Sequence, residues 1–348
     1  EAREKFKTAA AAAGLDVIIV EEGPLKTSSD FKMLESEAYP ALYQDSASRQ
    51  TADKAIKILQ GRCVGGSTTV NWTSSFRTPP ATLQWWQTAH GLKNLSVDAM
   101  APWFAAMEQR LHVGLWPLPP NDNNAALARG AAQLGIPVAV IPRNVKMCWN
   151  LGYCGLGCPT NAKQSMLLTT IPAALTRGAT LISRLRAEKL EFSGNKAVAL
   201  EAVALKPDGL LPSGIRVSLR ARHFVLAGGA INTPALLMRS HAADPHGRLG
   251  KRTFLHPTLI SAALFDKPIR AYAGAPQSVY SDHFLTQAAV DGPLGFKLEV
   301  APLHPILFST TLHGCGEAHA RLMREFANSQ TTLALVRDGF HPESSGGQ

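Results

Sequence analysis

The hydrophobic pattern changes period several times along this chain. Leu15-Asp16-Val17-Ile18-Ile19-Val20 is a short β-branched run, the mark of a buried parallel strand. It follows an Ala-rich stretch, Ala2 to Ala13, that reads as the end of a helix, with Gly14 as its stop. The run closes at Glu21-Glu22-Gly23-Pro24. Helix, glycine, strand and terminal acid make up the second half of a dinucleotide-binding βαβ unit. There the acid at the strand tip accepts hydrogen bonds from ribose hydroxyls. An ordinary α/β crossover has the same pattern. No G-x-G-x-x-G precedes the helix.

Residues 27–57 are polar and weakly periodic, which predicts a surface excursion. Pro79 to Arg110 carries helical spacing and reads as a helical insertion. Trp116 to Asn124 is rich in proline and asparagine and predicts a loop, followed by a helix over Ala125–Leu134. A further helix is expected from Ala162 to Arg177. Strands are expected at Thr180–Ser183, Ala187–Phe192, Ala197–Leu205 and Gly214–Leu219, with a turn at Ser193-Gly194-Asn195. Arg222–Ala227 reads as another buried strand, running through Gly228-Gly229-Ala230 into a helix that ends near Arg239. Beyond Pro257 the pattern is β-rich and loop-rich. No run of about 18 apolar residues occurs, so no membrane-spanning helix is expected.

Composition narrows the classes. The 348 residues are 45% hydrophobic and 18% charged, enough for a large core and two domains. The formal net charge of +9 is scattered along the chain, which argues against nucleic acid and suits an anionic cofactor. Five cysteines, an odd number, argue against a disulfide framework and for a reducing compartment. The sequence does not fix a location; cytoplasmic or peripherally membrane-associated is the expectation. Cys148-x5-Cys154-x3-Cys158-Pro159 is superficially similar to iron–sulfur ligation, but a four-iron cluster needs four thiolates and zinc needs a fourth ligand. A structural loop without metal is the expectation.

Two segments carry candidate chemistry. In Gly61-Arg62-Cys63-Val64-Gly65-Gly66-Ser67-Thr68-Thr69-Val70-Asn71, paired glycines let backbone lie against a planar ring or a phosphate. Ser67 and Asn71 add hydrogen-bonding groups, and Arg62 has the fork that suits a diphosphate. In Ala227-Gly228-Gly229-Ala230-Ile231-Asn232-Thr233-Pro234 a strand enters glycines ahead of a helix, a junction whose N–H groups attract anions. Each segment also has a bland reading, a tight turn and an empty crossover.

Together the two segments resemble the signatures of the glucose–methanol–choline (GMC) oxidoreductase family. Gly61-Arg62, Gly65-Gly66-Ser67 and Asn71 match the first, and Gly229 to Leu237 with Ser240 match most of the second. Leu249-Gly250-Lys251-Arg252 with His256-Pro257 is similar to the segment that follows in the family. The resemblance implies a mixed α/β fold: a Rossmann-like FAD-binding domain with a β-rich substrate-binding domain. It divides the chain into residues 1–75 and 160–258 for FAD, 76–159 as an insertion beside the flavin, and 259–348 as part of the substrate domain. It implies FAD as cofactor, bound by Glu21, Arg62, Gly65, Gly66, Ser67, Asn71, Ala187, Ala227 and Gly228. The reaction it implies is oxidation of a small-molecule alcohol by hydride transfer to the flavin. Electrons then pass to oxygen, a quinone or a protein carrier, among which the sequence does not choose.

Three departures stand out. The glycine loop is missing upstream, and Ser240 is followed by His241-Ala242 where the family has Gly-x-Gly. No segment between Val300 and Gln348 resembles the family's catalytic histidine region, so His304, His313, His319 and His341 are expected in surface or core roles. The chain is therefore expected to be an internal piece of the enzyme, without turnover of its own and with no catalytic residue to assign. Tyr272, Gln277, Tyr280, His283 and Phe296 are candidate substrate-lining residues by type and position. Two other readings stay open: a non-catalytic α/β protein, and a nicotinamide-dependent dehydrogenase, which would have no need of Gly65-Gly66-Ser67.

Overall fold

In the computed structural model the described residues are 10–338, apart from 12, 256, 288 and 293–294. Most of the Ala2–Ala13 helix, His256 and His341 lie outside them. Strand β1 (Ile18–Glu21) is parallel to β5 (Thr180–Ser183), pairing Ile18 with Thr180 and Glu21 with Ser183. The strand starts three residues after the apolar run begins and ends at Glu21, and its parallel partner is as the crossover pattern requires.

Between these strands lies helix α1 (Glu35–Leu42), then α2 (Pro80–His90) and α3 (Val97–Arg110) of the helical insertion. The short strand β2 (Val113–Leu115) follows, then α4 (Asp122–Gln133), β3 (Ala139–Val140), β4 (Pro142–Asn144) and α5 (Thr170–Leu175). Strands β6 (Leu185–Ser193), β7 (Lys196–Leu205) and β8 (Pro212–Arg220) form an antiparallel meander, turned at Gly194 with φ +58°. Helix α6 (Gly229–Arg239) packs on β6, where the Ser240 hydroxyl accepts the Leu190 N–H at 2.8 Å. The remaining elements are β9 (Thr258–Leu264), β10 (Val279–Tyr280), β11 (Phe296–Glu299), α7 (Pro305–Thr311), α8 (Gly316–Arg324) and β12 (Ser329–Val336). The last sheet runs β11-β12-β9, antiparallel throughout.

Several expectations need correction. The 27–57 stretch is a surface excursion only in its second half, where no residue of 44–57 is buried; before that, Phe31, Ala38, Leu42 and Tyr43 join Cys63, Val70 and Leu156 in a buried cluster. Ala38 and Leu42 sit four apart on α1, a spacing hidden by the polar residues around them. The 162–177 helix is real only over α5. Before it, Lys163 bridges Val145, the Ala162 carbonyl accepts from Lys146 and Gln164 donates to the Asn144 carbonyl, so backbone groups a helix needs are already paired. The loop at 116–124 ends early, because Asn121 caps α4 through the Asn124 N–H at 3.0 Å. Residues 222–227 form no strand. Among the described residues no strand pairs with them, and Val225 is 46% exposed. The region after Pro257 holds two helices as well as strands.

Buried asparagines tie α4 to the last sheet. Asn123 accepts the Thr331 N–H of β12 at 3.3 Å and donates to the Ala301 carbonyl at 2.9 Å, just past β11, while Asn124 accepts the Ser278 N–H at 2.9 Å, just before β10. Both are fully buried, so the insertion and the β-rich part share one polar seam. Among the described residues no helix is long and apolar enough to cross a membrane.

Candidate functional site

At the tip of β1 the Glu21 carboxylate accepts the Gly23 N–H at 2.7 Å. Gly23 lies flat against the Arg62–Cys63 peptide, leaving no space for a Cβ. The Val64 N–H donates to the Pro24 carbonyl at 3.0 Å, and the Arg184 N–H to the Gly23 carbonyl at 3.2 Å. The strand tip, the start of the glycine loop and the entry to β6 therefore meet. Arg62 is buried there, its Nε donating to Glu22 at 2.9 Å and a second N–H donating to the Gly209 carbonyl.

The loop then turns on two left-handed glycines, Gly65 (φ +91°) and Gly66 (φ +56°). They are not equivalent. A Cβ on Gly65 would meet Thr69 Oγ1 at 2.5 Å and Leu167 at 3.1 Å, whereas one on Gly66 would meet nothing within 4 Å. Gly65 is packed from behind and Gly66 faces open space. Ser67 Oγ accepts the Gly61 N–H at 3.0 Å, and Thr68 Oγ1 donates to the Gly65 carbonyl at 2.6 Å while accepting from Met166 N at 3.0 Å. Asn71 donates its N–H to the Ser67 carbonyl at 2.8 Å, but its side-chain Oδ1 is buried without a partner.

Beneath this loop lies a residue that sequence reasoning passed over. Lys163 is 2% exposed, and its ammonium donates to the carbonyls of Thr69, Asn71 (3.1 Å) and Cys154 (2.7 Å). Three donors meet three acceptors. Burial still pulls its pKa down to about 8. Read as the start of a helix, Lys163 gave no local sign of this task.

The second glycine segment is joined to the first through Gln60, whose amide donates to the Gly228 carbonyl at 3.3 Å. Arg49 bridges Gln60 (3.0 Å) and Asn232 (2.9 Å), and the Gly228 N–H donates to Thr233 Oγ1 at 2.9 Å. Ala187 pairs with Ala202 in the meander, three residues beyond Arg184. The structure thus gathers Glu21, Arg62, Gly65, Gly66, Ser67, Asn71 and Gly228 around one connected set of loops, with Ala187 and Ala227 on the flanking segments.

The five proposed lining residues are all engaged in packing. Tyr272 stacks on Phe326, Phe296 stacks on Phe284, and His283 meets Phe284 edge-on. Tyr280 meets Phe76 edge-on at 4.9 Å with Lys297 above both rings, linking the strip after Asn71 to the β-rich region. Gln277 donates to Glu299 at 2.8 Å. His304 is buried and stacked on Tyr153 at 4.9 Å, and burial lowers its pKa; His313 is exposed and His319 contacts the Ser309 carbonyl. Glu35 is another residue that no motif marks. It is buried, and it accepts the Ile306 and Leu307 N–H groups at 2.6 and 2.8 Å, capping α7 from α1.

Glu299 is 3% exposed, and burial first, with Asp282 nearby, pushes its pKa from the ordinary 4.5 to about 7. The folded state therefore holds a proton that the unfolded chain releases above pH 4.5. Stability should fall as pH rises between about 4.5 and 7, by about 3 kcal/mol at most from this group. Glu299→Gln is expected to remove that slope, read from unfolding midpoints across the window; an unchanged slope would show that the carboxyl is not the source.

The cysteine loop contains free thiols only. Arg143 reaches Cys154 Sγ at 3.6 Å, the Asn150 N–H reaches Cys148 Sγ at 3.4 Å and the Lys163 N–H reaches Cys158 Sγ at 3.4 Å. Among the described residues no group of three His, Cys, Asp or Glu side chains is placed to hold a metal ion.

Comparison with known proteins gives one family. An uncharacterized GMC-type oxidoreductase of Mycobacterium tuberculosis is 33% identical over 331 residues, covering 94% of this chain and 50% of that protein. A long-chain-alcohol oxidase of Arabidopsis thaliana is 26% identical over 342 residues, covering 94% of this chain and 44% of the relative. The chain spans about half the length of the curated relatives it matches. Among solved structures, formate oxidase of Aspergillus oryzae, described with its FAD, aligns with a TM-score of 0.63 at 14% identity, over 97% of this chain and 71% of that one. That likeness shows the shared fold, a mixed α/β fold as expected. The family model described as GMC oxidoreductase matches residues 39–258, and the chain belongs to that family.

Proposed function

We propose that this chain supplies much of the FAD site of an enzyme that oxidises an alcohol to an aldehyde or ketone. One observation carries the reading: Gly66, bare and facing open space, sits in a loop bonded to the β1 tip that bears Glu21, with the orphaned Oδ1 of Asn71 five residues on. A buried amide oxygen without a donor is costly unless a ligand supplies one. FAD is the cofactor of this family, and the residues present fit it.

Glu21 would accept from ribose hydroxyls, and backbone at Ala187, Ala227 and Gly228 would line the adenosine and diphosphate side. Arg62, expected from the sequence to face the diphosphate, would instead brace strand tip and loop, because its guanidinium is buried and donates to Glu22 and the Gly209 carbonyl. Gly65, Gly66 and Ser67 would lie against the ring face, with the Asn71 amide at its polar edge. When bound, FAD would take up the hydride given by the alcohol carbon. The chain's part is to present a flat, water-poor backbone surface and to hold the ring by hydrogen bonds. The alcohol itself, of the class named for the Arabidopsis relative, would enter from the side of residues 259–348. The division into residues 1–75 with 160–258, 76–159 and 259–348 belongs to the same proposal.

The test is the flavin content of the purified natural protein. It is expected to carry FAD, and Asn71→Ala to weaken FAD binding about tenfold, the worth of one buried hydrogen bond. Folded protein with no flavin, or an alanine variant that binds it as tightly as the parent, would contradict the assignment.

A further inference from the structure

Two cations lie buried against the glycine loop, and both are held by neutral partners. Lys163 is 2% exposed and Arg143 is 1% exposed. Lys163 Nζ donates to three carbonyls, those of Thr69, Asn71 (3.1 Å) and Cys154 (2.7 Å). Filling three acceptors takes three N–H groups, so this side chain is an ammonium. Arg143 donates to the carbonyls of Pro276 and Gln277 (3.1 Å), lies over the Trp116 ring at 5.3 Å and reaches Cys154 Sγ at 3.6 Å. The two charges thus meet at Cys154. Among the described residues neither forms an ion pair with Asp or Glu.

Both cations are also attached to the segment that carries Asn71. Lys163 holds it at Thr69 and Asn71. Arg143 faces Ser74 in an antiparallel bridge, and beside it the Asn144 N–H donates to the Thr73 carbonyl at 3.2 Å. Carbonyl dipoles solvate a cation without cancelling its charge. A buried charge that lacks a counter-ion is costly, and its field is weakened less than it would be in water. The arrangement therefore favours negative charge at the loop.

On the reading that FAD rests there, the reaction itself supplies that charge. A hydride from the alcohol carbon brings two electrons and one proton to the ring, which gains one negative charge, while the hydroxyl proton leaves separately for solvent. We propose that Lys163, with Arg143 beside it, is a positioning residue that sets the reduction potential of the flavin: its fixed positive charge makes the site hold reduced FAD more tightly than oxidised FAD. Lys163 acts through the peptides of Thr69 and Asn71 rather than by touching the ring. This inference rests on the FAD assignment above.

The experiment is a redox titration of the FAD-loaded natural protein beside free FAD, and it reads no turnover. The parent is expected to bind reduced FAD at least about tenfold more tightly than oxidised FAD, which places its potential about 30 mV or more above that of the free cofactor. Lys163→Met should lose about tenfold of that preference, a potential about 30 mV lower than the parent's. Lys163→Arg keeps the charge but not the fit to three carbonyls. It should keep the parent's potential while losing stability as Lys163→Met does. A parent potential no higher than that of free FAD, a Lys163→Met potential equal to the parent's, or the same drop in both variants would each overturn the proposal. If Lys163→Met does not fold, the parent and Lys163→Arg decide the matter. Folded parent without FAD would sink the cofactor assignment and this inference with it, whereas FAD held at an unshifted potential would sink this inference alone.

Discussion

Gly66→Leu is expected to leave the protein folded and strip it of flavin. The Gly66 backbone is left-handed at φ +56°, so a side chain there costs about 1–2 kcal/mol in strain. It meets no atom within 4 Å, so no packing penalty follows. What leucine fills is the space proposed for the ring face, and FAD affinity should drop at least about a hundredfold. Gly65→Leu gives the contrasting result. Its Cβ would meet Thr69 Oγ1 at 2.5 Å and Leu167 at 3.1 Å, on a backbone at φ +91°. Overpacking and strain together should cost more than about 3 kcal/mol and unfold the loop itself. Thermal unfolding and flavin content, measured on both variants, separate the two. Flavin retained in Gly66→Leu would place the ring elsewhere.

Lys163→Met is the second large effect. It leaves the carbonyls of Thr69, Asn71 and Cys154 without their shared donor, in a site that is 2% exposed. Each orphaned carbonyl costs about 1–3 kcal/mol, and part of the sum is returned because a buried ammonium no longer has to be desolvated. The expected net loss is about 3 kcal/mol, seen as a lower denaturant midpoint with an unchanged slope. Lys163→Arg should not rescue it, since a planar fork cannot place donors on three carbonyls that surround one point. A midpoint equal to that of the parent would show the clamp to be idle.

The parts of this fold visible in the sequence are those set by local rules. The β-branched run at residues 15–20, the Gly194-Asn195 turn and the glycines ahead of α6 each announce themselves within a few residues, and β1, the meander and α6 are found there. The run at 222–227 looked equally strand-like, yet a strand needs a neighbour, and none of the described strands is one. The glycine loop was legible because paired glycines are rare where nothing requires them. Its support was not. Lys163 reaches Thr69 across 94 positions, and Glu35 reaches Ile306 across 271. A lone lysine or glutamate carries no periodicity that betrays such a partner. Gln60 and Arg49, which tie the two glycine segments together, are hidden for the same reason: Arg49 bonds Asn232 from 183 positions away.

The most direct measurement is a crystal structure of the natural protein with FAD bound. The isoalloxazine is expected to rest on the Gly65-Gly66-Ser67 backbone at van der Waals distance, about 3.5–4 Å. At the other end, the adenosine ribose should be within hydrogen-bond reach of Glu21, about 2.7 Å. Density for the ring away from residues 65–67, or a ribose that Glu21 cannot touch, would contradict the account.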